Sequence, residues 1–115
     1  MTPEGRLMRE IMVALSQAGH RVVRANAGRG WIGPTQRHKD GSVTIRAARP
    51  FHGVPEGVSD LIGCARDGTF LAVEVKYEKG RPSDAQTAYI QMIVGLGGRA
   101  GIARSVDDAL RIASG

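Results

Sequence analysis

Three residues, Asp60, Glu74 and Lys76, have the types and spacing that phosphodiester hydrolysis requires. Glu74 and Lys76 lie two residues apart in an apolar segment, so they project from the same face if that segment is a strand. Two neighbouring carboxylates repel each other unless a cation lies between them, and Mg²⁺ prefers such oxygen ligands. A lysine beside the metal can orient or deprotonate the attacking water. The alternative is a solvated, charged strand face.

Two predicted strands bring Asp60 and Glu74 together. Residues 58–65 and 69–77 are apolar segments joined by Arg66-Asp67-Gly68, and Asp-Gly is a strong hairpin signal. Residues 60 and 74 are about equally far from this turn, so the antiparallel register places them side by side. The hairpin therefore predicts a site between two adjacent strands.

The helices are marked by their caps. Thr2 and Pro3 predict a helix over residues 3–18, in which Glu4 projects near the middle of the apolar stripe. An acid there serves either the site or the helix dipole. Ser83 and Gln86 form a capping-box pattern for a helix that ends at Gly97-Gly98, so Gln86 belongs either to the cap or to the site.

The order of elements predicts an α/β fold with a mixed central sheet flanked by helices, αββββαβα, in one domain spanning 1–115. Residues 99–104 form a last strand, which should lie parallel to an earlier strand because a helix precedes it, and Ser105 opens a last helix. Cys64, the single cysteine, is expected in the core. Neither a signal peptide nor an apolar membrane span is evident, so we expect a cytosolic protein.

The central segment is basic and rich in glycine. Residues 20–26 and 42–47 read as strands, residues 25–41 as a loop or hairpin, and residues 49–57 as an irregular linker. The sequence GRGWIG resembles a dinucleotide-binding motif, but Pro34 follows it where a helix should begin. The three histidines are too scattered for a zinc site.

Positive charge favours a nucleic-acid partner. The chain has 16 Lys and Arg residues against 11 Asp and Glu residues, and arginine, which suits phosphate, predominates. A net charge of +5 is also compatible with a merely soluble basic surface. The candidate DNA-binding residues are Arg29, Trp31, Arg37, Lys39, Lys79 and Arg81. For the first four, an ordinary exposed loop is the alternative.

The segment GVSDLIGCARDGTFLAVEVKYEKGRPSDAQ, together with the acidic first helix, RVVRANAG and GGRAGIARS, resembles the virus-type replication-repair nuclease (VRR-NUC) domain, a branch of the PD-(D/E)xK nucleases. The resemblance implies a restriction-endonuclease-like fold and Mg²⁺- or Mn²⁺-dependent cleavage of DNA, typically branched DNA such as Holliday junctions. One departure is Ser59, where the wider superfamily carries proline. By resemblance, the metal ligands are Asp60, Glu74 and the Val75 carbonyl, and the further catalytic residues are Lys76, Gln86 and Glu4.

We therefore expect an endonuclease that works as a homodimer, because two symmetric cuts suit two active sites. The competing interpretations are a non-catalytic basic DNA-binding module and a nuclease subunit that needs a larger partner.

Overall fold

A computed structural model describes residues 1–25 and 29–115 of the chain. The helices are α1 (Pro3–Gln17), α2 (Asp84–Gly95) and α3 (Val106–Ser114). The strands in the described residues are β1 (Arg21–Arg24), β2 (Arg29–Ile32), β3 (Thr35–Arg37), β4 (Val43–Ile45), β5 (Arg49–His52), β6 (Leu61–Cys64), β7 (Phe70–Val75) and β8 (Arg99–Ala103). No helix in these residues is long and apolar enough to cross a membrane.

A four-stranded mixed sheet in the order β1-β6-β7-β8 forms the centre of the molecule. β6 pairs antiparallel with both β1 and β7, whereas β8 pairs parallel with β7. α2 connects β7 to β8, which is the crossover that a parallel pair requires. The mixed α/β class predicted from the sequence is confirmed.

The main core lies between one face of this sheet and helices α1 and α3. Every second residue of β7, at positions 71, 73 and 75, is fully buried there. α1 contributes Met8, Ile11 and Leu15, and α3 contributes Ala109 and Ala113. Alternation along β7 directs Ala72 and Glu74 to the opposite face of the sheet. α2, which buries Ile93, contacts β7 and β8.

Residues 29–52 form a separate two-stranded ribbon, which we call the β-arm. β2 pairs antiparallel with β5, and β3 pairs antiparallel with β4. The molecule measures 50 × 29 × 28 Å, and its radius of gyration of 16.7 Å exceeds the roughly 13 Å of a compact chain of this length. The chain is therefore elongated rather than spherical.

The structure differs from the sequence predictions mainly in the central segment. Of the two alternatives predicted for residues 25–41, a loop or a hairpin, the described part shows strands, β2 and β3, and the predicted irregular linker at 49–57 contains β5. Cys64 is exposed, so its predicted place in the core is wrong. It pairs with Phe70 at the end of the hairpin, where even Phe70 is 39% exposed because little packs over this end of the sheet.

Candidate active site

Asp60 and Glu74 lie side by side across the β6–β7 hairpin. The last ladder pair is Leu61 with Val73, and one further step in the same register opposes Asp60 to Glu74. Asp60 Oδ2 accepts a hydrogen bond of 2.9 Å from the backbone N–H of Val75, which fixes the direction of the carboxylate. The Asp60 carbonyl accepts another, of 2.8 Å, from Ala25 N–H, so the residue is also tied to the end of β1. The predicted juxtaposition is present in the structure.

The segment before Asp60 is held against the first turn of α2. Gly57 has a φ of +93°, and a Cβ at this position would lie 2.6 Å from the Ala85 carbonyl oxygen. Only glycine meets both constraints. Ser59 follows, fully buried, and its Oγ has no hydrogen-bond partner in the described part of the chain. The Gly57-x-x-Asp60 element thus positions the acid through close packing.

Glu74 is a buried acid in an unfavourable electrostatic environment. Its side chain is 1% exposed, and burial together with the hydrogen bond and negative charge of Asp60 raises the pKa of Glu74 to about 8. Lys76 opposes this shift in pKa, and Glu4 adds to it. Glu74 Oε2 is buried with no hydrogen-bond partner among the described residues. The electrostatics therefore favour a positive charge between the two carboxyl groups.

A divalent cation fits this pair of acids. An unsatisfied buried carboxylate oxygen beside a second carboxylate is the donor set that Mg²⁺ takes, with waters and a substrate phosphate as its remaining ligands. Within residues 1–25 and 29–115, no three His, Cys, Asp or Glu side chains are grouped closely enough to enclose a metal ion. A cation held by these two carboxyl groups alone would therefore keep most of its coordination positions for waters and phosphate oxygens.

Lys76 lies immediately after β7, half-buried, on the same side as Glu74 by strand alternation. Its backbone N–H donates to the Ala103 carbonyl at 3.1 Å. The Arg104 guanidinium donates to the carbonyls of Glu78 (2.6 Å) and Gly80 (2.8 Å) in the turn that follows. Sequence reasoning missed Arg104, although a parallel β8 places the end of that strand beside the end of β7.

The two other predicted catalytic residues occupy different settings. Glu4 lies in the first turn of α1, where its side chain is exposed rather than packed, and its negative charge contributes to the raised pKa of Glu74. Gln86 completes the capping box of α2: Ser83 N–H donates to Gln86 Oε1 at 2.8 Å, and Gln86 N–H donates to Ser83 Oγ at 3.1 Å. The structure thus shows the capping role of Gln86, and its catalytic role stays a prediction.

The predicted DNA-binding residues fall into two groups. Lys79 and Arg81 are exposed just beyond Lys76, next to the candidate site. Trp31, Arg37 and Lys39 are exposed on the β-arm. Arg29 is the first residue of β2, but its side chain lies outside the described part of the chain.

The comparison with known families identifies the class of protein to which this fold and this group of residues belong. Residues 34–107 match the VRR-NUC domain, so the chain belongs to the VRR-NUC domain family. No curated protein matches the chain significantly. The matched segment contains Asp60, Glu74, Lys76 and Gln86, whereas Glu4, Arg29 and Trp31 precede it. Membership implies nuclease activity on DNA.

Proposed function

We propose that the chain is a Mg²⁺- or Mn²⁺-dependent endonuclease that hydrolyses phosphodiester bonds in DNA. The observation that carries the proposal is the buried, unsatisfied Glu74 carboxylate oxygen beside the Asp60 carboxylate. Burying an isolated acid is costly unless a charge or a hydrogen bond compensates it. A structural role would leave that cost without compensation, whereas a metal site compensates it.

The proposed mechanism assigns each side chain a separate task. Asp60 and Glu74, with the Val75 carbonyl, would hold the cation, which would supply polarisation of the phosphoryl oxygens and stabilisation of the leaving oxygen. Val75 N–H keeps Asp60 aimed at the site. To act as a ligand Glu74 would have to release its proton to solvent, and the positive charge of Lys76 favours that release. Lys76 then orients or deprotonates the attacking water.

The proposed substrate is branched DNA, such as a Holliday junction, cut by a homodimer in which each chain supplies one site. The twofold arrangement of two cuts across a junction suits two identical active sites. The exposed cations Lys79 and Arg81, next to Lys76, are suited to hold the phosphates on either side of the cut.

A cleavage panel tests this proposal. Purified protein is incubated with junction, flap and linear DNA in Mg²⁺, Mn²⁺ or EDTA. We expect metal-dependent products, which Lys76→Ala abolishes while DNA binding is retained, and which Arg9→Ala, a change to an exposed cation on α1, leaves intact. Binding without any product would favour a non-catalytic module, and activity only after addition of lysate would favour a subunit that needs a partner. Cleavage that persists in Lys76→Ala would overturn the assignment of that lysine.

A further inference from the structure

Positive charge is concentrated in the β-arm. Residues 29–52 contain five of the chain's 16 Lys and Arg residues but one of its 11 Asp and Glu residues. The arm therefore carries a net charge of +4, whereas the other 91 residues together carry +1. Such segregation creates a local positive potential that attracts a polyanion. Arg37, Lys39, Arg46 and Arg49 are all exposed.

The arm's acid, Asp40, is engaged by hydrogen bonds within the turn at the tip. Asp40 Oδ1 accepts hydrogen bonds from Ser42 N–H (2.9 Å) and Ser42 Oγ (2.6 Å), which lower the pKa of Asp40. His38 N–H donates to the Ser42 carbonyl at 2.9 Å and closes the same turn. Because the turn engages the carboxylate, Lys39 beside it remains available to an anion.

The two short sheets of the arm join into one ribbon. Arg46 N–H donates to the Pro34 carbonyl at 2.9 Å, and a Cβ on Gly33 would lie 2.5 Å from the Arg46 carbonyl oxygen. Glycine therefore permits the close crossing that connects β2–β5 to β3–β4. At roughly 3.3 Å per residue, ten residues from 29 to the tip extend about 30 Å. A two-stranded ribbon of this kind fits the major groove of duplex DNA.

Trp31 is an exposed aromatic residue on this basic ribbon. Its side chain is 63% exposed, and it pairs across the ribbon with Pro50, next to Arg49. Neighbouring Ile32 is 45% exposed, so the two side chains present apolar surface to solvent. A flat aromatic ring among phosphate-binding cations is suited to stacking on an unpaired base.

We infer that the β-arm grips duplex DNA through Arg37, Lys39, Arg46 and Arg49, while Trp31 stacks on an unpaired base at a branch. This inference rests on the proposed function in that DNA is the ligand. It names the substrate class more closely: DNA in which a duplex meets an unpaired base. The arm then supplies recognition, and the site at Glu74 supplies chemistry.

Trp31 is the chain's one tryptophan, so its fluorescence reports directly on the arm. The protein is titrated in EDTA with a forked duplex bearing unpaired bases and with a blunt duplex, while labelled DNA reports binding by anisotropy. We expect the forked DNA to quench the tryptophan at saturation and the blunt duplex to leave it nearly unchanged. Saturated binding of forked DNA without any change in fluorescence would overturn the stacking role, and equal quenching by both DNAs would overturn the preference for unpaired bases.

Substitutions test the same surface independently of fluorescence. Trp31→Ala should weaken binding of forked DNA roughly 5- to 150-fold, with blunt-duplex binding within about twofold of wild type, and Trp31→Phe should restore most of the loss. The slope of log affinity against log salt concentration should become shallower by up to about 3 in the triple variant Arg37→Gln/Lys39→Gln/Arg49→Gln. The matched variant Arg9→Gln/Arg66→Gln/Arg111→Gln, which removes three exposed cations outside the arm, should retain the wild-type slope.

These binding measurements are made without metal, so they are separate from the cleavage assay. Equal loss of slope in the two triple variants would refute a specific role for the arm. Normal arm-dependent binding with no cleavage under any condition would instead refute the nuclease proposal and leave this inference standing.

Discussion

The four-stranded sheet and the β-arm are both built from short strands, but they bury their side chains to opposite extents. Five consecutive residues of β7, from Leu71 to Val75, are buried, whereas all residues of β3 and β4 are exposed. Burial in the sheet forces Glu74 into a setting where a cation is favoured. Exposure in the arm leaves cations and Trp31 free to meet a large ligand. The chemistry and the recognition that we propose thus have different physical requirements, and the two regions are suited to meet them separately.

The largest expected difference between the two regions is in cleavage activity, which substitutions at the candidate site should reduce without weakening DNA binding. Glu74→Gln and Lys76→Ala should each reduce cleavage roughly 10²–10⁴-fold, because each removes a group that acts directly on the reaction, while DNA affinity stays near that of wild type. Glu10→Gln, at an exposed acid of α1, serves as the matched control and should retain full activity. Rates and anisotropy measured on the same preparations check this. A parallel loss of binding in Glu74→Gln would mean that the two functions are not divided between the regions.

Substitutions in the core and in the β-arm should also differ in how far they lower the free energy of unfolding. Leu15→Ala in the core, where Leu15 is fully buried, should lower the free energy of unfolding by about 2–5 kcal/mol. Ile45→Ala in the β-arm, where Ile45 is 37% exposed, should cost less than about 1 kcal/mol. Urea unfolding followed by circular dichroism measures both values. Comparable losses would show that the arm packs as a second core.

Replacing Arg104 tests whether the turn after β7 positions Lys76. Arg104→Ala removes the guanidinium that binds the Glu78 and Gly80 carbonyls, so the segment following Lys76 should loosen and kcat should fall, by up to about 10²-fold. KM and Mn²⁺ affinity should change little. Arg111→Ala, which removes a surface ion pair with Asp108, is the matched control. An unchanged kcat in Arg104→Ala would show that the turn does not position Lys76.

A last expected effect is the pH dependence of the stability of the metal-free protein. The pKa of Glu74 is about 8 when folded against an ordinary 4.5, so the folded chain retains a proton that the unfolded chain has lost between these values. The resulting stabilisation is complete below about pH 4.5 and is lost as the pH rises through about 8. In EDTA, the melting temperature of wild type should therefore fall more than that of Glu74→Gln from pH 5 to pH 8. Parallel curves would contradict the raised pKa.

The site could be predicted from sequence largely because local signals set its geometry. The Asp67-Gly68 turn and the equal spacing of residues 60 and 74 gave the correct register, and Ser83 with Gln86 gave the start of α2. These features depend on neighbours close in the chain, where turn and cap chemistry is decisive.

The arm and the finer environment of the site were not predictable in the same way. β4 lies within the predicted strand at 42–47, but β3 is three residues long and exposed on both faces, so no alternation of apolar and polar residues marks it as a strand. The bonds from Arg104 to Glu78 and Gly80 span at least 24 residues and arise only once β8 lies beside β7. Glu4 lies on the apolar side of α1 by periodicity, but the first turn extends beyond the packed part of the helix and leaves it exposed.

The central claim is that Asp60 and Glu74 form a metal site. Its most direct test is the affinity of the metal-free protein for Mn²⁺, measured by calorimetry at a pH near 8. Wild type should bind Mn²⁺, Glu74→Gln and Asp60→Asn should lose most of that affinity, and Lys76→Ala and Glu10→Gln should keep it. The same Mn²⁺ affinity in wild type, Glu74→Gln and Asp60→Asn would show that these two carboxylates do not form a metal site, and the nuclease mechanism proposed for this chain would be contradicted.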